Sequence, residues 1–467
     1  MSPNAVIETR IGRLEFTHDF ASGYPTQETV EKLYDERDFQ RACQAYLWAL
    51  PIVGFSGWQD GCRAVGAGDI DVVLYTSFDD KLGILTPNVT TPYIWSMPDL
   101  GSTGPLVIDM PAGAAAGLVD DFWQRPVTDL GLAGPDQGRG GKYLIIGPGQ
   151  DVPRAEGFIV VHSPTLNVGV GFRNLETDPY KADRLLKQYR LYSYAQRDNP
   201  PATRYLSVGA TKWSMTPPRG LAYWERLAEI LKREPVQERD RVMMAMLRPL
   251  GIEKGKPFGP DERQKRILTE AALVGEAMAK ANDFDKRQME LSHYADGVHW
   301  DVALCLDPSQ EAEFYTQLDE RAAWFYEATA TSKGMVTKTP GVGQVYLGAY
   351  QDRDGNWLDG SYSYRLRVPA NAPVKQFWSL TVYDVDTRSL TQNEQKIADR
   401  SSRGGLVQNA DGSVDLYVGS EEPRGSEKNW IPSVPGRAWF AYFRLYAPTE
   451  AHFDRTWTLP DFERIGS

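Results

Sequence analysis

The stretch FWSLTVYDVDTRSL, residues 377–390, opens with a strict two-residue alternation. A β-strand points successive side chains to opposite faces, so Trp378, Leu380 and Val382 fall on one side. Phe377, Ser379, Thr381 and Tyr383 fall on the other. The first face suits a hydrophobic core. The second mixes rings with hydroxyls, which suits a cleft for a sugar, polyol or phenolic ligand, where rings supply area and hydroxyls supply direction. Ordinary packing between sheets, with tyrosine hydroxyls reaching solvent, produces the same mixture.

Working outward, residues 336–467 carry further β-like runs: SYSYRLRVP, SVDLYVGS and WFAYFRLYA. Asp411-Gly412 supplies the positive-φ position of a hairpin within QNADGSVDLYVG. Residues 1–215 show the same texture in DVVLYTSF, GPLVIDMPA, GKYLIIGPG and GFIVVHSPT, punctuated by Gly, Pro, Asp and Asn. A helix precedes them, with Thr26 as its N-cap, Glu28 and Glu31 near its positive end, and Pro51 as its stop. Between these zones, residues 216–335 switch to a helical period, and Leu227, Ile230 and Leu231 read as core positions. The expected fold is therefore mixed and mainly β. Two jelly-roll-like β-sandwich domains, 1–215 and 336–467, flank a helical domain at 216–335.

Composition narrows the function classes. Apolar residues make up 42% of the chain and charged residues 24%, as in globular proteins. With 51 basic against 62 acidic residues the formal charge is −11, which disfavours nucleic acid as a partner. No polybasic run or long apolar segment points to a membrane, and the first residues show no secretory pattern, so a cytoplasmic location is expected. Cys43, Cys62 and Cys305 lack disulfide or zinc spacing. There is no G-x-S-x-G elbow, phosphate loop or HExxH, which argues against α/β-hydrolase, nucleotide-dependent and zincin chemistry. No cofactor is expected. A divalent metal on His293 and His299, with Asp296 and Asp301 in HYADGVHWD, is the weaker alternative, because metal sites need three or four convergent ligands. QDRDGNWLDGS resembles a calcium loop only in part and reads better as a hairpin connection.

The remaining candidates are polar and aromatic. LTPNVTTPY, residues 85–93, contains a glycosylation acceptor at Asn88, a reading that matters only in a secretory pathway. Arg173 and Arg388 are candidates to hold a carboxylate in a bidentate fashion. Tyr383, Asp384, Asp386 and Arg388 would form an acid/base set if they faced one cavity.

Longer motifs carry a resemblance. LTPNVTTPY, GPLVIDMP, FWQRPVTDLG, GGKYLIIGPG and GFIVVHSPT resemble domain of unknown function 1254. YLGAYQDRDGNWLDGSYSYRLRVP, FWSLTVYDVDTRSL, NADGSVDLYVGSEEPRGSEKNWIP and WFAYFRLYAP resemble domain of unknown function 1214. The bacterial family that combines them implies two β-sandwiches around a helical part, without implying a reaction. Relatives usually carry Asp where this chain has Thr90. The resulting expectation is an enzyme acting on a small organic molecule by hydrolysis, elimination or isomerisation. Tyr93 and Tyr383 would transfer protons and Arg388 would clamp an anion. Asn88, Thr91, Arg173 and Asn429 would orient the substrate, with Trp123, Trp378 and Trp430 as walls. A non-catalytic carbohydrate or polyol binder and a structural protein are the alternatives. The expected partner is a small molecule, with self-association left open.

Overall fold

Alternation in the apolar runs produces two sandwiches, each closed around its own core. The computed structural model describes residues 5–152, 155–287, 289 and 292–466. It confirms a mixed, mainly β protein with sandwich-like layers and a helical part. The chain divides into two compact units, Met1–Leu50 with Pro218–Lys280, and Pro51–Pro217 with Ala281–Ser467. Compactness does not follow chain order.

The first unit is the helical one. Thr26 Oγ1 accepts from the Thr29 N–H at 3.3 Å and so caps the long helix Gln27–Ala64. Leu227, Ile230 and Leu231 are buried on the helix Leu221–Arg233, as its period requires. Tyr46 stacks on Tyr223 at 4.1 Å, and Trp224 Nε1 donates to the Leu268 carbonyl on the helix Glu262–Phe284.

Pro51 does not stop the long helix, which continues to Ala64. A proline removes one backbone donor. Here the flanking residues Leu47, Trp48, Ile52, Val53 and Phe55 are all buried, and their packing outweighs that loss. The Pro51 carbonyl accepts from Gln124 Nε2 at 2.6 Å.

The second unit holds both sandwiches. In the N-terminal one, a six-stranded sheet runs Tyr205–Ser207, Val72–Tyr75, Tyr93–Ser96, Val168–Asn174, Ala115–Asp121, Pro126–Gly131. It faces a four-stranded sheet of Arg190–Ser193, Leu106–Met110, Gly141–Ile146 and Ile159–His162 across a core that includes Val72, Ile108, Val119, Ile145 and Val170. In the C-terminal sandwich, a five-stranded sheet runs Trp300–Val302, Gln344–Ala349, Trp439–Pro448, Val374–Asp384, Asp399–Ser401. Its partner sheet contains Trp430–Pro432, Val414–Gly419, Ser363–Val368 and Glu463–Ile465. Trp378, Leu380 and Val382 join Leu366, Leu416 and Phe443 in the core between them. The opposite face of Val374–Asp384 therefore points out of this sandwich. Among the described residues, no helix is long and apolar enough to cross a membrane.

Candidate functional site

Register builds the site from two cross-strand pairs. In the N-terminal sandwich Arg173 lies directly opposite Tyr93 in the antiparallel ladder. Its guanidinium sits 5.1 Å over the Tyr93 ring. In the C-terminal sandwich Arg444 lies directly opposite Tyr346, with its guanidinium 5.4 Å over that ring. Directly opposed side chains in a sheet are in contact range, and a guanidinium over a ring is attracted by the ring's quadrupole. All four residues line one chamber of about 90 Å³. Trp58, Trp95, Phe172 and Trp324 form much of its apolar wall. A wider chamber of about 250 Å³ shares Gly117, Leu118, Arg173 and Met335 with it and adds Gln344, Gln376 and Tyr446.

Glycines make room for this wall. Trp95 stacks flat on Trp58 at 3.9 Å. A Cβ on Gly171 would fall 1.9 Å from Trp95 Cε3, so only glycine admits the ring there.

The loop LTPNVTTPY forms the rim, and buried side chains capture its backbone carbonyls. Arg444 Nη2 donates to Thr86 O at 2.8 Å and the Tyr383 hydroxyl to Pro87 O at 2.9 Å. Lys81 Nζ donates to the carbonyls of Asn88, Val89 and Thr91 at 3.0, 3.1 and 2.8 Å. An ammonium has three N–H donors, so Lys81 is saturated. Burial, followed by the charge of Arg173, pulls Lys81 down to about 8. Thr86 (φ 39°) donates its N–H to the carbonyl of Arg388 (φ 54°), and both keep a backbone conformation that costs free energy unless the surroundings fix it.

Asn88 is wholly buried, which excludes a glycan in the folded protein. Its N–H donates to the Tyr93 hydroxyl oxygen at 2.6 Å, its Oδ1 accepts from Thr91 N–H, and its Nδ2 donates to Tyr446 OH. Arg173 Nη1 reaches Gln344 Oε1 at 3.1 Å and Tyr446 OH at 3.4 Å. Tyr346 OH donates to the same Gln344 oxygen at 2.7 Å. Thr90 Oγ1 donates to Asp399 Oδ2 at 3.2 Å, and burial raises that Asp399 carboxyl. Thr90 thus holds a turn against an acid from the other sandwich.

The residues singled out in the sequence divide into three groups. Tyr93 and Arg173 line the chamber, while Asn88 and Thr91 shape its rim from behind. Tyr383 and Arg388 do not line it. The Tyr383 hydroxyl is spent on Pro87, burial raises it further above its usual range, and Arg388 sits 4.1 Å over the Tyr326 ring. Trp123, Trp378, Asn429 and Trp430 lie elsewhere. The Trp123 ring lies 5.9 and 5.2 Å from the guanidinium carbons of Arg125 and Arg321. Trp378 stacks on Phe443 in the core. Asn429 pins Val407 and the Asp415 carbonyl, and Trp430 Nε1 donates to Gly419 O. Arg444 and Tyr346 were missed. Alternation in AYFRLYA places Tyr442, Arg444 and Tyr446 on the face opposite Ala441, Phe443 and Leu445, and that signal finds Arg444, while Tyr346 follows from the register that sets it opposite Arg444.

His293 and His299 do not converge on an ion: His299 Nδ1 lies 2.9 Å from Asp461 Oδ2. Among the described residues, no group of three or more His, Cys, Asp or Glu is placed to hold a metal. The Asp352 loop is a turn, with Asp352 Oδ1 accepting from the N–H groups of Asp354 and Asn356.

A second buried polar cluster lies on the same unit. Lys286 Nζ reaches Asp283 Oδ1 at 3.1 Å and Tyr350 OH at 3.0 Å. Tyr350 OH donates to Glu327, as does Tyr442 OH. Burial and the neighbouring Asp283 hold Glu327 well above the usual carboxylate range. Burial pulls Lys286 down, but Asp283 and Glu327 outweigh it and hold Lys286 up.

The chain matches protein of unknown function (DUF1254) over residues 73–193 and protein of unknown function (DUF1214) over residues 343–450. No curated protein matches it. Among solved structures it is similar to the VPA0106 protein from Vibrio parahaemolyticus, at 16% identity and a TM-score of 0.58, covering 92% of this chain and 100% of that one. An uncharacterized protein from Burkholderia cenocepacia aligns over 94% of this chain and 90% of its own, at 11% identity and a TM-score of 0.41. The first matched segment supplies Tyr93 and Arg173 to the chamber and the second supplies Tyr346 and Arg444, so the chain carries a segment of domain of unknown function 1254 followed by one of domain of unknown function 1214.

Proposed function

We propose that the chamber binds a small organic molecule and that the protein transforms it by hydrolysis, elimination or isomerisation, with Tyr93 as the proton-transfer group. The observation that carries this reading is the setting of one hydroxyl. The Tyr93 oxygen accepts from the Asn88 N–H, while Arg173 and Lys81 lie 5.1 and 5.0 Å from its ring centroid. The hydroxyl belongs to a residue that lines the chamber beside Arg173, where a proton-transfer group must lie to meet a ligand. The aromatic walls hold the apolar part of a ligand and restrict water.

A turnover screen across esters, hydroxy acids and unsaturated acids, run on wild type beside Tyr93→Phe, tests the role. Loss of the hydroxyl should lower kcat by roughly 10²–10⁴-fold with KM nearly unchanged. Equal turnover in the two removes Tyr93 as the acid or base. A non-catalytic binder is the competing reading. It is favoured by the absence of Asp, Glu, His and Cys from the chamber lining among the described residues. Tight ligand binding without turnover in any assay would establish that reading instead.

A further inference from the structure

Two guanidinium groups, the buried Arg444 and the half-buried Arg173, set the chamber's charge. Arg173 and Arg444 both line it, and among the described residues neither chamber is lined by any Asp or Glu. Lys81 adds a third cation behind Tyr93. The acids acting on Lys81 are Asp399, which accepts from Thr90, and Asp80, and neither lines a chamber. Arg444 is 2% exposed, and its Nε has no hydrogen-bond partner among the described residues. Its two Nη atoms are used by Thr381 and Thr86. In the Lys286 cluster on the same unit, by contrast, the ammonium is paired with the Asp283 carboxylate. A buried cation without a counter-ion destabilises a fold. A fold that keeps two guanidinium groups at one cavity gains when an anion enters.

We infer that the ligand of this chamber is an organic monocarboxylate with a flat or branched apolar body. This rests on the chamber being a small-molecule site. The carboxylate faces Arg173 and Arg444, where a guanidinium offers paired donors that match its two oxygens. The apolar body packs against Trp58 and Trp95, whose stacked rings present a flat wall. Dianionic phosphate lacks the body that this wall would cover.

Calorimetric titration of the full chain at neutral pH and physiological salt tests the inference. The probes are benzoate and isovalerate, their neutral counterparts benzyl alcohol and isoamyl alcohol, and inorganic phosphate. A carboxylate should bind roughly tenfold or more tightly than its alcohol, the equivalent of one charge-assisted bond. Arg173→Gln should weaken carboxylate binding more than alcohol binding and so erase that preference, with circular dichroism confirming the fold. Arg444→Gln gives a second reading from the other sandwich. Equal binding of acid and alcohol overturns the carboxylate and leaves the small-molecule site standing. Phosphate binding as tightly as benzoate overturns the apolar body. If no probe binds to the folded wild-type protein, the inference and the site reading fall together.

Discussion

Two buried ionic clusters lie within one compact unit and are built on opposite principles. Around Lys286, one ammonium, two carboxylates and two tyrosine hydroxyls bond to one another. Around Tyr93, three cations face tyrosines and backbone carbonyls, and the cluster opens on a chamber. A cluster that satisfies itself serves the fold. The one that places guanidinium groups at a cavity is the cluster we propose to serve a ligand. The contrast matters because burial alone does not separate the two, since Glu327 and Arg444 are equally hidden.

Removing one partner from a matched cluster strands the others. Lys286→Met should cost about 3–5 kcal/mol, read from the midpoint of urea unfolding, because Asp283 and Glu327 lose their counter-ion. A loss below about 1 kcal/mol would mean that the cluster is not held by its charge. His452 applies the same logic to a single group. Burial, followed by the charge of Arg455, lowers His452 from 6.5 to about 4. The unfolded chain therefore takes up this proton at a higher pH than the folded one. The stability due to neutral His452 is full above pH 6.5 and lost as pH falls toward 4, by up to about 3 kcal/mol. Acid unfolding of His452→Leu should lack that slope. Arg173→Met sharpens the contrast from the other side. Replacing an unmatched cation with an apolar side chain should shift stability by no more than about 1 kcal/mol, in either direction, while it abolishes carboxylate binding. A loss as large as that for Lys286→Met would mean that Arg173 serves the fold.

Much of the fold is legible in the sequence because one face of most strands is apolar. The alternation in FWSLTVYD placed Trp378, Leu380 and Val382 in the core correctly. The site is harder to read. Trp439–Pro448 is buried along its whole length, so Arg444 sits in a run whose two faces both look apolar unless tyrosine is counted as polar. Tyr383 and Asn429 belong to long motifs, yet their polar atoms hold corners, the Pro87 and Val407 backbones. Sequence shows that a polar residue is needed there without showing whether its partner is substrate or main chain. Pro51 failed as a helix stop because the stop signal is local and the burial that overrides it is not. The pairing of residues 1–50 with 218–280 is likewise a long-range contact, with no periodicity to announce it.

Lys81 has a chemical consequence of its own. An amine reacts with acylating reagents only through a free lone pair on nitrogen. At Lys81 that nitrogen carries three protons, each held by a carbonyl of the rim, and the side chain is fully buried. While the loop stays closed the residue is inert to such reagents, and once exposed it reacts as a surface lysine does, because the burial that lowers its pKa is gone. Its rate of acetylation, set against that of surface lysines, thus times the opening of the chamber's rim in the unmodified protein.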